Sequence, residues 1–173
     1  MVSVYHAFSF FCLKYIIPLF LVFTPFVLSG GVRMKLKIRD AALGLLVSAV
    51  ILLPFWFVMG LGEKRLQLPQ LPAIGFQLVG ISLPEEIYFR GFLQECLGNN
   101  IRGVFLSSLL FAVMHAPQLL IYGDWHSLLT FFPSLVMGFL YMRTSNVLPS
   151  AIFHFSANIL FLGLYDILSY RFF

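Results

Sequence analysis

Two adjacent acids and an arginine interrupt one apolar segment of the chain, at Glu85, Glu86 and Arg90. A charged side chain at the centre of a bilayer costs at least about 2.5–3.5 kcal/mol, and such residues usually mark functional sites. On a helix, Glu86 and Arg90 stand four positions apart with the acid first, which is the favourable order for an ion pair. Glu85 points about 100° away from Glu86. The spacing therefore predicts one neutralised carboxylate and one that is free to react.

Four further polar side chains lie deep in apolar segments, at Gln77, His115, His154 and Asn158. His154 and Asn158 are four residues apart, so they share one helix face. Counted from the basic loops, Glu85, His115 and Asn158 lie about 18 Å deep and His154 about 12 Å deep. Polar groups from separate segments are therefore expected in one layer of the membrane.

These residue types suit the hydrolysis of an amide bond. A carboxylate and a neutral imidazole can share a water molecule and remove its proton. A second imidazole and an amide can donate hydrogen bonds to the oxyanion that then forms. Zinc is the alternative, with Glu85, His115 and His154 as its ligands. The helical H-E-x-x-H spacing is absent, so we predict no cofactor.

Each polar residue also has a purely structural interpretation. Glu86 and Arg90 would pair at a helix end near the membrane surface, although this leaves the second acid without an explanation. A lone histidine or asparagine in a membrane helix often bonds a neighbouring helix, and we interpret Gln77 in this way. Three hydroxyls within the spans are interpreted as helix-packing groups: Ser82, Ser107 and Ser156.

The composition places these residues in a membrane protein. The chain is 60% hydrophobic and 10% charged, with a mean hydropathy of +0.94, whereas a soluble domain is about 25% charged. Single cysteines at Cys12 and Cys96 indicate neither a disulfide framework nor a cysteine metal site. The net charge of +4 lies in loops between apolar segments and forms no basic stripe, so no nucleic-acid partner is expected.

The fold class predicted is an all-α, polytopic transmembrane helix bundle of about six spans. The spans cover residues 7–29, 41–62, 73–97, 103–122, 126–142 and 146–168. Residues 1–72 would hold the N-terminal transmembrane helices and a basic loop, and residues 73–173 a catalytic core of four helices. The N-terminus lacks a basic segment before its apolar run, so we expect no cleavable signal peptide.

Basic loop residues predict the orientation. If the spans alternate in direction, one side receives Arg33, Lys35, Lys37, Arg39, Arg102 and Arg143, and the other receives Lys64, Arg65 and Arg171. The positive-inside rule makes the first side cytoplasmic. Both termini would then lie outside, in a multi-pass protein of the cell membrane.

Three motifs follow one another on separate spans: Glu85-Glu86…Arg90, Phe111…His115 and His154…Asn158. They resemble the E-E-x-x-x-R, F-x-x-x-H and H-x-x-x-N motifs of the CPBP family, the CAAX-prenyl-protease and bacteriocin-processing intramembrane endopeptidases. The resemblance covers about residues 74–168 and implies a glutamate-type mechanism, formerly classed as metal-dependent.

The resemblance also implies a role for each motif residue. Glu85 and His115 would activate the water, and His154 and Asn158 would form the oxyanion hole. The second acid of the first motif would be held by Arg90. Family members often have more spans than this chain, and that departure bears on the substrate entrance more than on the catalytic set.

We therefore expect an endopeptidase that acts in the bilayer on a peptide or lipidated protein, in CAAX-type processing or in bacteriocin maturation or immunity. No oligomeric state is predicted. One alternative is a non-catalytic immunity or binding protein on the same scaffold, whose protection would survive loss of both Glu85 and His115. Another is a proton-coupled transporter with the carboxylates as a relay. Transporters usually contain inverted repeats, and none is visible here.

Overall fold

The structure, a computed structural model, describes residues 2–60 and 69–165, with side chains for residues 15–58 and 69–163. Helices make up most of this part of the chain, and no strand occurs in it. The predicted all-α bundle is thus confirmed. The helices are α1 (Val2–Ser29), α2 (Ile38–Gly60), α3 (71–97), α4 (Ile101–Met114), α5 (Ala116–Tyr122), α6 (Phe131–Thr144) and α7 (Val147–Tyr165).

The predicted spans agree with these helices except in their details. Span four is divided at His115, which has turn-like dihedrals of φ −88° and ψ −2° between α4 and α5. Pro117 explains the break, because it has no N–H and its ring clashes with the carbonyl of Val113. Span five begins with a 3-10 helix at Trp125–Thr130 before α6. The ends of spans two and six beyond residues 60 and 165 lie outside the described residues.

Apolar helices confirm the membrane character. Within the described chain, three segments are long and apolar enough to cross a bilayer: Ile38–Val58, Ile101–Tyr122 and Trp125–Thr144. Tyr15–Ser29 and Val147–Gly163 are shorter apolar helices. Helix α3 differs because four charged residues interrupt it: Glu85, Glu86, Arg90 and Glu95.

Helix α3 is continuous but changes its winding along its length. It is α-helical over Leu71–Phe76, π-helical over Gln77–Ser82, α-helical over Leu83–Glu86, π-helical over Ile87–Gln94 and α-helical again over Glu95–Leu97. Pro84 follows the first π segment. It cannot donate a hydrogen bond to the carbonyl of Gly80, and a wider turn accommodates its ring.

The bundle is arranged around α3, which contacts α1, α4, α6 and α7, while α2 packs outside against α7. A close approach between α2 and α7 depends on Gly44, where an added Cβ would lie 2.8 Å from the carbonyl oxygen of Pro149. The apolar core beside the charged stretch consists of Phe89, Phe111, Met137, Leu140 and Phe153.

Three loops that were predicted to share one side of the membrane do meet. Asn99, after α3, donates to the Ser145 hydroxyl, after α6, at 3.3 Å. Asn146 reaches the loop between α1 and α2, where its amide bonds the backbone N–H and C=O of Lys35 at 2.9 and 2.8 Å and the Asp40 carboxylate at 2.7 Å. We call this arrangement of Asn146, Lys35 and Asp40 the Asn146 clamp. Which side of the membrane this face occupies stays a prediction.

Candidate active site

Four polar side chains form a buried row along α3, at Ser82, Glu86, Arg90 and Gln94. All four are fully buried, with 0% exposure. In an α-helix each step of four residues would carry such a row about 40° around the axis. The π turn, closed by i→i+5 hydrogen bonds, rotates less per residue. Because α3 alternates between the two windings, the row stays on one face.

The predicted ion pair between Glu86 and Arg90 is present, and Arg90 makes further hydrogen bonds that the sequence did not indicate. Arg90 Nε donates to Glu86 Oε2 at 3.1 Å, with both side chains fully buried. The two terminal nitrogens of Arg90 donate to the hydroxyls of Ser107 on α4, at 3.1 Å, and Ser134 on α6, at 2.6 Å. The interpretation of Ser107 as a helix-packing hydroxyl agrees with this interhelical hydrogen bond. Three helices hold the guanidinium in place.

His154 lies between the two carboxylates. Its Nδ1 is 3.1 Å from Glu86 Oε1, and its Nε2 is 3.7 Å from Glu85 Oε2. Arg90 holds Glu86 as a carboxylate, which can only accept hydrogen bonds, so Nδ1 carries a proton. We call Glu85, Glu86, Arg90 and His154 the carboxylate cluster.

Glu85 is the carboxylate with spare hydrogen-bonding capacity. Its Oε2 is buried and has no hydrogen-bond partner within the described part of the chain. The 3.7 Å distance to His154 Nε2 is longer than a hydrogen bond. A buried polar atom left in this way costs about 1–3 kcal/mol. The fold tolerates this cost where a water or a substrate group can bind.

His115 enters the same region from α4. Its Nδ1 lies 2.9 Å from the Phe111 carbonyl oxygen, and because a carbonyl only accepts, this nitrogen is the donor. The other nitrogen, Nε2, then carries the lone pair and can act as a base. The Phe111 ring packs against both imidazoles, with centroids 4.9 Å from His115 and 5.7 Å from His154. The two histidines are therefore close in space, as the depth estimate predicted.

Asn158 lies one turn beyond His154 on α7 and contacts α3 nearer to its N-terminus, at Gln77. Its amide nitrogen donates to the side-chain oxygen of Gln77 at 3.1 Å. The interpretation of Gln77 as an interhelical hydrogen-bonding residue is confirmed. The part of Asn158 in an oxyanion hole stays a prediction, since one of its two donors is used by Gln77.

The zinc alternative stays a prediction. No group of three His, Cys, Asp or Glu side chains is arranged to hold a metal ion among the residues that the structure describes. That statement includes Glu85, His115 and His154, the three residues named as ligands in the zinc alternative.

Sequence reasoning missed several residues that position the cluster. The sequence contained a signal for Gln94, because this residue continues the four-residue spacing from Glu86 and Arg90. Its amide donates to the Gly138 carbonyl at 3.1 Å. Ser134 had none, because only the packing of α6 against α3 brings its hydroxyl to Arg90.

The fold and the site together define an all-helical membrane protein with a buried cluster of carboxylates and imidazoles. The family model for the type II CAAX prenyl endopeptidases, Rce1-like, matches residues 67–160. This is more than half of the chain, and the chain belongs to that family of proteases. The match includes all three motifs and confirms the resemblance found in the sequence. No curated protein and no solved structure matches the chain.

Proposed function

We propose that this protein is an intramembrane endopeptidase that hydrolyses a peptide bond of a membrane-associated protein or peptide with an activated water. Family membership supports the protease class. The observation that carries the mechanism is Glu85, which faces His154 at 3.7 Å and has a buried oxygen without a partner within the described chain. The proposed catalytic set is Glu85, Glu86, Arg90, His115, His154 and Asn158.

The first step uses Glu85 as a general base. A water bound at Glu85 Oε2 gives one proton to the carboxylate while its oxygen attacks the carbonyl carbon of the substrate. The Nε2 lone pair of His115 orients the water by accepting its second hydrogen. Glu86 takes no proton, because Arg90 holds it as a carboxylate and its other oxygen orients His154.

The second step breaks the C–N bond. The oxyanion formed by the attack accepts hydrogen bonds from the His154 ring and from the second N–H of the Asn158 amide. Glu85 then passes its proton to the leaving nitrogen as the tetrahedral intermediate collapses. The products are a carboxylic acid and an amine, and the protein returns to its starting protonation without a covalent intermediate.

The substrate is taken from the membrane, either as a lipidated C-terminus in CAAX-type processing or as a peptide in bacteriocin maturation or immunity. The protein is a multi-pass protein of the cell membrane, with the face of the Asn146 clamp in the cytoplasm. The six predicted basic residues of this face support that orientation. All six lie in the three loops that meet there or in the first or last turn of a helix that adjoins them: Arg33, Lys35, Lys37, Arg39, Arg102 and Arg143.

The test compares Glu85→Gln with Glu95→Gln in purified protein reconstituted in nanodiscs. The substrates are peptides with a prenylated C-terminal motif and the same peptides without the lipid. Glu95 is a matched control because it lies on the same helix and accepts from the Tyr141 hydroxyl at 2.8 Å, which a glutamine oxygen also does. We expect Glu85→Gln to lower cleavage by about 10²–10⁴-fold, the contribution typical of a general base, and Glu95→Gln to cleave like the wild type.

Full cleavage by Glu85→Gln would contradict the mechanism. No cleavage by the wild type, together with bacteriocin protection that survives Glu85→Gln, would favour the non-catalytic immunity protein instead. Cleavage only of the prenylated peptide would assign the CAAX-type reaction.

A further inference from the structure

The Ser82 hydroxyl differs from several other hydroxyls in this bundle in its hydrogen bonding. Serine and threonine hydroxyls in membrane helices commonly bond back to the carbonyl four residues earlier. Ser48 and Ser156 do so at 2.8 Å and Thr24 at 2.7 Å. The Ser82 hydroxyl is fully buried and has no hydrogen-bond partner among the described residues. Its local carbonyl, that of Leu78, instead accepts the N–H of Leu83.

The position of Ser82 is set by two contacts between α3 and α7. His154 meets Glu86 at 3.1 Å, and one turn further along α7 Asn158 meets Gln77 at 3.1 Å. Ser82 lies between Gln77 and Glu86 on α3. It therefore occupies the level between the two α7 residues that are proposed to bind the oxyanion.

Ser82 also precedes Glu85 by three residues, a spacing that makes side chains neighbours on a helix, with Cβ atoms about 5–6 Å apart. Both Ser82 Oγ and Glu85 Oε2 are buried without a partner within the described chain. One small polar molecule between them satisfies both, since a water can donate to the carboxylate and bond the hydroxyl at the same time.

We infer that Ser82 is a positioning residue that holds the hydrolytic water against Glu85. The water directs one hydrogen to Glu85 Oε2 and the other to His115, and it accepts a hydrogen bond from the Ser82 hydroxyl, which leaves its second lone pair for the substrate carbonyl. The hydroxyl is not a nucleophile and exchanges no proton with the substrate. This inference rests on the proposed endopeptidase function.

The test uses Ser82→Ala with Ser108→Ala as its control. Ser108, on α4, carries the other serine hydroxyl that is buried without a partner in the described chain, so both variants remove the same kind of group. We expect Ser82→Ala to lower kcat by about 10²-fold, as misplacement of a reacting group does, with little change in KM. Ser108→Ala is expected to keep the wild-type kcat. Neither variant should lower the melting temperature, because neither hydroxyl bonds another described residue.

A second measurement does not depend on cleavage. Infrared spectra of the protein without substrate are recorded for the wild type, Ser82→Ala, Ser108→Ala and Glu85→Gln. The carboxyl or carboxylate band that disappears in Glu85→Gln should shift in Ser82→Ala and stay in place in Ser108→Ala.

The outcomes separate the two proposals. A wild-type kcat in Ser82→Ala, or an unchanged Glu85 band, would overturn the role of Ser82. A lower melting temperature with unchanged kcat would assign Ser82 a structural role and would also overturn it. If the wild type cleaves nothing but the Glu85 band shifts in Ser82→Ala, the endopeptidase proposal fails while the shared water between Ser82 and Glu85 is supported.

Discussion

The carboxylate cluster and the Asn146 clamp are both buried polar sites that join distant parts of the chain, but they differ in how completely their atoms are bonded. The Asn146 amide uses its full capacity, since its oxygen accepts from the N–H groups of Lys35 and Leu148 and its nitrogen donates to Lys35 and Asp40. The cluster leaves Glu85 Oε2 without a partner within the described chain.

This difference separates a structural role from a chemical one. A fully bonded amide stabilises the fold and has nothing left to offer a ligand. A cluster with an unsatisfied carboxylate gives up stability to keep a group available, which is how functional sites generally differ from the rest of a fold. Mutations in the two places should therefore affect different measurements.

The largest loss of stability is expected from substitution of Arg90, the arginine of the carboxylate cluster. Arg90→Leu leaves the buried Glu86 carboxylate with only His154 as its partner, and breaking a buried ion pair from one side costs about 3–5 kcal/mol. We expect a lower melting temperature in detergent and little folded protein. The double variant Glu86→Gln with Arg90→Leu removes both charges and should recover part of the lost stability. A single variant as stable as the wild type would show that the pair is not buried in the membrane-embedded protein.

A smaller effect is expected at the clamp. Asn146→Ala leaves the Lys35 backbone groups and the Asp40 carboxylate without their partner, at about 1–3 kcal/mol. The melting temperature should fall, while the cleavage rate per folded molecule stays near that of the wild type. A large loss of kcat with unchanged stability would place Asn146 in the reaction and would remove the distinction between the two sites.

The smallest effect is expected at Tyr141, near the clamp. Its hydroxyl donates to Glu95 Oε1 at 2.8 Å, and Glu95 is partly exposed, so water can replace this bond. Tyr141→Phe should cost about 0.5–1.5 kcal/mol, measured as a small shift in melting temperature with normal cleavage. A shift as large as that of Asn146→Ala would mean that solvent does not reach Glu95.

Part of the site could be predicted because its geometry is local. The pairing of Glu86 with Arg90 follows from four residues of one helix, and that spacing brings the side chains together whatever surrounds them. The apolar helices were likewise readable from composition and length, since a bilayer requires about 20 apolar residues for a crossing helix, and three segments of the described chain meet that requirement. The placement of His115 and His154 in one layer of the membrane, at about 18 and 12 Å, followed from the same regular rise.

Other features depended on packing between helices that are distant in sequence. Only the antiparallel contact of α3 with α7 decides that His154 bonds Glu86 and faces Glu85, which are 68 and 69 positions away. Ser107 and Ser134 reach Arg90 for the same reason. The π-helical turns of α3 are favoured locally by Pro84, but their extent depends on keeping the buried row against its neighbours.

The sequence by itself determined that this is a helical membrane protein with an acid–arginine pair and three motifs of a protease family, because hydropathy and helical spacing act over short stretches of chain. The tertiary structure decided that Glu86 is fully bonded and that Glu85 has an oxygen without a hydrogen-bond partner in the part of the chain that is described. That difference depends on His154 of α7 and on the hydroxyls of α4 and α6 that hold Arg90, and no spacing along one helix predicts these contacts.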